Sequence, residues 1–91
     1  MTYKVIITDS AEDDIYRLRK SGEIRALKKL DSLLSELKNH PETGTGHPEP
    51  LKGDRAGQWS RRITQKHRLV YKIEEEQIIV LVLSAYGHYD D

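Results

Sequence analysis

The 91-residue chain contains no cysteine. Disulfides, thiolate metal sites and cysteine nucleophiles are therefore excluded, and a reducing cytoplasm is the natural home. Long apolar runs are also missing, so no segment reads as a membrane span, and Met1-Thr2-Tyr3-Lys4 leads directly into a strand-like segment instead of a signal sequence. Charge of one sign is lacking too: 15 basic and 15 acidic residues cancel, which argues against a protein that coats nucleic acid non-specifically. Proline occurs three times, always within one stretch. A chain of this length supports one small domain, residues 1–91, with one modest core and no separate substrate domain.

What is present has clear periodicity. Tyr3 to Thr8 is rich in β-branched and aromatic residues and reads as a strand. Ser10, with Asp13 three positions on, predicts the start of a helix, and Ala11, Ile15 and Leu18 recur at helical spacing. Ser21-Gly22 breaks that helix. Ile24, Leu27, Leu30, Leu34 and Leu37 predict a longer amphipathic second helix, stopped by Asn39-His40-Pro41. Residues 41–57 hold all three prolines and four of the six glycines and read as one long loop, which in so small a domain is more often functional than decorative. Three strand-like runs follow, Trp59 to Thr64, Arg68 to Glu74 and Ile78 to Tyr86, with short turns between them. The predicted class is α+β: an N-terminal strand, a helical hairpin and a three-stranded antiparallel meander, with the helices on one face of a single antiparallel sheet.

The neutral total hides a local excess. Between Glu49 and Lys72 seven basic residues (Lys52, Arg55, Arg61, Arg62, Lys66, Arg68 and Lys72) face two acidic ones, as expected of a face that binds one phosphate segment. If Thr64-Gln65-Lys66 forms a three-residue hairpin loop, Arg62 lies opposite Arg68, while Ile63, Leu69, Tyr71 and Ile73 turn towards the helices. Two facing guanidinium groups repel unless they are well solvated or meet an anion. Glu49, set between Pro48 and Pro50, adds a proton acceptor, and His88-Tyr89 near the end adds a proton donor. Acceptor, anion clamp and donor together suit RNA cleavage, because RNA supplies its own nucleophile and the developing phosphorane charge needs fixed cations.

The motifs Gly-x-Gly-x-Pro-Glu-Pro-Leu-Lys (residues 44–52), Trp-Ser-Arg-Arg-Ile (59–63), His-Arg-Leu-Val-Tyr (67–71) and the closing His88-Tyr89 resemble the YoeB/Txe branch of the RelE/ParE toxin superfamily. The resemblance implies a RelE-like fold and a bacterial toxin of a type II toxin-antitoxin system. Its activity would be ribosome-dependent endoribonuclease cleavage of messenger RNA in the ribosomal A site, forming a 2′,3′-cyclic phosphate and inhibiting translation. By motif, Glu49 corresponds to the general base, His88 to the general acid and Arg68 to the arginine that stabilises the transition state. Lys52, Arg62 and Tyr89 correspond to further phosphate or substrate contacts. The implied partners are a cognate antitoxin of the YefM/Phd type, the 70S ribosome and mRNA. Operator DNA would be met only through the antitoxin complex, no membrane is involved, and a homodimer is compatible with the resemblance. No metal or cofactor is expected. The sequence departs from relatives at Gly87, where they often carry a bulkier residue, at Tyr86, where several carry a basic one, and at His47, where they often carry a basic one.

Plainer roles compete for several of these residues. Glu49 could be a solvated loop acid. Arg61 differs in strand parity from Arg62 and reads as a surface charge or as a bridge to a helix acid. His67, at a turn edge, reads as a structural residue bonded to backbone, and Trp59 as core or rim packing rather than a base-stacking platform. His40, Glu42, His47 and Glu49 share a loop, but their spacing matches no metal motif. A different class of function stays open: a non-catalytic subunit with the same fold, either gyrase-directed in the manner of ParE or an antitoxin-bound co-repressor. Glu49, Arg68 and His88 together discriminate, since gyrase-directed members generally lack such a set.

Overall fold

The structure, a computed structural model, describes residues 2–76 and 79–87, with the backbone alone described for residues 79–84. Strand β1 (Lys4–Ile7) is followed by helices α1 (Asp9–Lys20) and α2 (Ile24–Leu37), a two-residue strand β2 (Glu49–Pro50), a 3₁₀ turn (Gly53–Arg55), and strands β3 (Gln58–Arg62), β4 (Arg68–Glu74) and β5 (Ile79–Ser84). The sheet order is β1-β5-β4-β3-β2. This is the expected α+β arrangement, a helical hairpin followed by the β3-β4-β5 antiparallel meander.

Three details differ from the sequence reading. The sheet is mixed rather than purely antiparallel, because β1 pairs with β5 in parallel, Lys4 opposite Ile79 through Ile7 opposite Val82. No tight turn joins these two strands, so nothing local forces them antiparallel. Part of the expected long loop is also paired: Glu49 lies opposite Ser60 and Pro50 opposite Trp59, making β2 a short edge strand. Proline is tolerated there because the outer side of an edge strand needs no donor. Finally, the cap of α1 is Thr8, whose hydroxyl accepts from the Ala11 N–H at 3.2 Å, and Ser10 lies inside the helix. Asp9 and Glu12 in the first turn, with Arg17, Arg19 and Lys20 in the last, complement the helix dipole.

One core joins the layers. Ala26, Leu30, Leu33 and Leu37 form the buried stripe of α2, and Ala11 and Leu18 that of α1. They pack with Ile63, Leu69, Tyr71 and Ala85, with Trp59 and Ile73 at the margin. Each fully buried leucine contributes about 1.5–3 kcal/mol. Ile24, which the spacing placed on this stripe, is 65% exposed, so the stripe begins at Ala26. The Tyr3 N–H bonds to the Lys38 carbonyl at 2.6 Å, tying the start of β1 to the end of α2. Among the described residues no helix is long and apolar enough to cross a membrane.

Candidate active site

The β3-β4 hairpin sets the arginines. Ile63 N–H donates to the His67 carbonyl at 3.0 Å, closing the Thr64-Gln65-Lys66 turn, and the next pair inward is Arg62 opposite Arg68, as the sequence predicts. The Thr64 hydroxyl accepts from the Lys66 and His67 N–H groups, both at 3.1 Å, and fixes the turn. Cross-strand partners share a face, so Arg62, Arg68, Ser60 and Glu49 lie together on the side away from the helices. That side is not uniformly open. Ser60 and Val70 are buried on it, and the exposed part is the end carrying Arg62 and Arg68.

There the structure forms a cleft of about 210 Å³ lined by Gly46, His47, Glu49, Ser60, Arg62 and Arg68. It is smaller than the pockets of about 300 Å³ and above that enclose whole ligands, and suits one phosphodiester segment of a longer chain. Arg68 is half-buried and donates from Nη1 to the Thr64 carbonyl at 3.1 Å, which holds its guanidinium in place, whereas Arg62 is exposed. Among the described residues neither arginine is in an ion pair. Glu49 is exposed in β2, its direction set by the pairing with Ser60. Gly46 and His47, both with positive φ (85° and 53°), shape the rim. Gly46 accepts from the Arg62 N–H at 2.6 Å, and a Cβ there would come within 3.0 Å of the Arg62 carbonyl oxygen. A Cβ on Gly44 would collide with the Glu36 carboxylate. Close approach thus explains both glycines of the Gly-x-Gly segment.

The loop before Glu49 is anchored by Arg61, whose bridge to a helix acid is one of the two roles left open by its parity. The side chain is fully buried. Its Nε donates to the Tyr71 hydroxyl at 3.1 Å, Nη1 to Glu36 at 2.8 Å and to the Thr45 carbonyl at 3.3 Å, and Nη2 to the carbonyls of His40 and, at 2.7 Å, Thr43. Tyr71 in turn donates to the Pro41 carbonyl at 2.6 Å. Arg61 therefore does not belong to the basic face. Burial opposes ionisation of Glu36, but hydrogen bonds from Thr45 and Arg61 outweigh it and hold its carboxyl below the usual range. A group with a depressed folded-state pKa stabilises the fold above its unfolded pKa and loses that contribution as pH falls through the folded value. Glu36→Gln should therefore be less stable than the wild type at neutral pH, with the difference shrinking below about pH 4. Chemical denaturation of both proteins from pH 7 to pH 3 measures this, and a difference independent of pH would refute it.

The remaining predicted site residues are placed less centrally. Lys52 is exposed in the link between β2 and the 3₁₀ turn and does not line the cleft. His88 and Tyr89 lie outside the described residues. The segment preceding them is tied down by three backbone bonds. Ala85 N–H donates to Asp14 of α1 at 3.1 Å, Gly87 N–H to His67 Nδ1 at 2.9 Å, and Arg68 N–H to the Gly87 carbonyl at 3.0 Å. Gly87 has φ 75°, a conformation that disfavours any side chain there. The Tyr86 ring packs on His67 with centroids 4.4 Å apart, and the Arg17 guanidinium lies 4.3 Å from the Tyr86 ring centroid. Sequence reasoning did not single out Ser60 or Asp14. Strand parity would have placed Ser60 beside Arg62, but no local signal pairs Asp14 with Ala85. Among the described residues no three His, Cys, Asp or Glu side chains converge as metal ligands, His40, Glu42, His47 and Glu49 included.

The chain belongs to the family described as YoeB-like toxin of bacterial type II toxin-antitoxin system, which it matches over residues 7–89. It is 43% identical over 86 residues to the toxin YoeB of Streptomyces coelicolor, covering 94% of this chain and 99% of the relative. Among solved structures, a YoeB/ParE toxin from Agrobacterium tumefaciens superposes with a TM-score of 0.85 at 40% identity, over 94% of this chain and 99% of that one. The Staphylococcus aureus YoeB, solved as a dimer and in a YoeB–YefM complex, gives a TM-score of 0.79 in both, at 29% and 28% identity, over 98% of this chain and 100% of theirs.

Proposed function

We propose that this toxin is a ribosome-dependent endoribonuclease that cuts messenger RNA in the ribosomal A site. The observation that carries the reading is the convergence of Glu49, Arg62 and Arg68 on one cleft. An arginine face alone would serve a non-catalytic binding subunit equally well, and the carboxylate set among the cations favours the enzyme. In the proposed reaction Glu49 takes the proton of a ribose 2′-OH, and the resulting oxygen attacks the adjacent phosphorus. The bond from phosphorus to the 5′-oxygen breaks, and His88 delivers a proton to that leaving oxygen. The products are a 2′,3′-cyclic phosphate and a 5′-hydroxyl. Arg68 and Arg62 neutralise the charge that grows on the phosphorane, while Lys52 and Tyr89 contact neighbouring parts of the RNA. Toxicity would be restrained in the bacterial cytoplasm by an antitoxin of the YefM/Phd type covering the basic face. The Staphylococcus aureus complex and dimer support an antitoxin partner and self-association.

Mapping 5′-ends on one mRNA, translated or free, with and without the protein tests this reading. New ends confined to translated codons are expected, and equal cutting of free RNA would contradict it. A second expectation separates the arginines. Arg68 is held by Thr64 and so loses little freedom on meeting an anion, whereas Arg62 must be ordered. Titration with inorganic phosphate should show binding at the cleft, with Arg68→Ala weakening it about 10-fold or more and Arg62→Ala less. The same order is expected for cleavage rates, and the reverse order would contradict the assignment of Arg68.

A further inference from the structure

The hydrogen bonds around His67 assign it a task beyond capping its turn. The side chain is 4% exposed and lies between two elements distant in sequence. A backbone N–H can only donate, so the Gly87 N–H, 2.9 Å from Nδ1, occupies the lone pair of that nitrogen. The ring proton therefore sits on Nε2, which faces Glu23 Oε2 at 3.4 Å. Glu23, just before α2, is itself oriented by the Ser21 hydroxyl at 3.1 Å. The Ser21 bond first, and the contact with His67 after it, hold the Glu23 carboxyl below its ordinary range, so it is an anionic acceptor near neutral pH. The adjacent residue, Arg68, uses its N–H to grip the carbonyl of the same Gly87. Two consecutive residues, His67 and the first residue of β4, thus hold both backbone polar groups of Gly87, and the second of them carries a guanidinium of the cleft.

We propose that His67, with Glu23 behind it, is a positioning residue for the proposed active site: it locks Gly87, the last described residue, to the backbone of Arg68, whose guanidinium lines the cleft. The inference rests on the proposed cleavage activity. A turn-capping histidine would need only its backbone bonds to Ile63 and Thr64 and no acceptor for Gly87. Gly87, at φ 75°, gains no rigidity from a side chain of its own, and its described constraints are these two bonds.

The test uses His67→Asn, whose Oδ1 can replace Nδ1 as acceptor, and His67→Leu, which keeps bulk but accepts nothing. Glu23→Ala, at a half-buried site outside the core, carries the same test with the core intact. Two quantities are read in the full chain: hydrogen exchange at the Gly87 amide, and single-turnover cleavage of mRNA on programmed ribosomes alongside ribosome affinity. In His67→Leu the Gly87 amide should exchange about tenfold faster, and cleavage should slow by about 10- to 100-fold with affinity changed less than about twofold. His67→Asn should keep most of both, and Glu23→Ala should show a smaller loss of both. Unchanged protection in His67→Leu and Glu23→Ala, or lost protection with full cleavage, would overturn the positioning role. Absence of cleavage by the wild type would instead overturn the proposed activity, while the exchange data still report on the Gly87 lock.

Discussion

Glu49→Gln should fold like the wild type and cut ribosome-bound mRNA about 10²- to 10⁴-fold more slowly. The exchange is nearly isosteric, and Glu49 is an exposed side chain on a two-residue edge strand, so little of the fold depends on its charge. In the proposed reaction what depends on it is the proton of the attacking hydroxyl, because no other carboxylate lines the cleft among the described residues. Phosphate should bind the mutant at least as well as the wild type, since one negative charge near Arg62 and Arg68 has gone. Full cleavage by the mutant would sink the base assignment. A drop in melting temperature of several degrees would show instead that Glu49 serves the fold.

Arg61→Leu should be the most destabilising single change near the cleft, by about 3 kcal/mol. The guanidinium is fully buried and donates to the carbonyls of His40, Thr43 and Thr45 together. Water can reach part of this loop, which limits the loss, but Glu36 and the Tyr71 hydroxyl lose their shared partner as well. For a domain of this size that corresponds to about 15 °C in melting temperature. Arg61→Lys should recover little, because an ammonium cannot reproduce the planar fork that meets carboxylate and carbonyls at once. Thermal unfolding by circular dichroism measures both variants, and a shift under about 3 °C would show that the loop is held by other means. Cleavage should fall alongside stability, because the anchored loop leads through Gly46 directly to Glu49.

The parts of this fold with a regular period were legible in the sequence. The limits of α2 and β4 coincide with the spacing-based expectation, and a three-residue turn was enough to set Arg62 against Arg68. Where two local solutions compete, the reading failed. Thr8 and Ser10 are both good caps, and only the length of β1 decides between them. Pro48-Glu49-Pro50 looks like pure loop because two of its three residues cannot donate, yet an edge strand needs only one side of pairing. Arg61 was harder still. Charged residues are almost never fully buried, and parity gives only the face, while the carbonyls that make burial tolerable come from a loop some twenty residues earlier. The lock on Gly87 had no sequence signal, because its donor is a backbone group and the acceptor sits on the turn side of β4, far away in the sequence.

The chemistry of the cut ends tests the central claim most directly. If Glu49 activates the 2′-OH and the arginines steady the phosphorane, the upstream fragment must end in a 2′,3′-cyclic phosphate and the downstream fragment must begin with a 5′-hydroxyl. Mass spectrometry of fragments released from programmed ribosomes should show those two termini, and no cut where the ribose at the cleavage site lacks its 2′-OH. Fragments with a 3′-hydroxyl and a 5′-phosphate, or undiminished cutting at the deoxyribose, would contradict it.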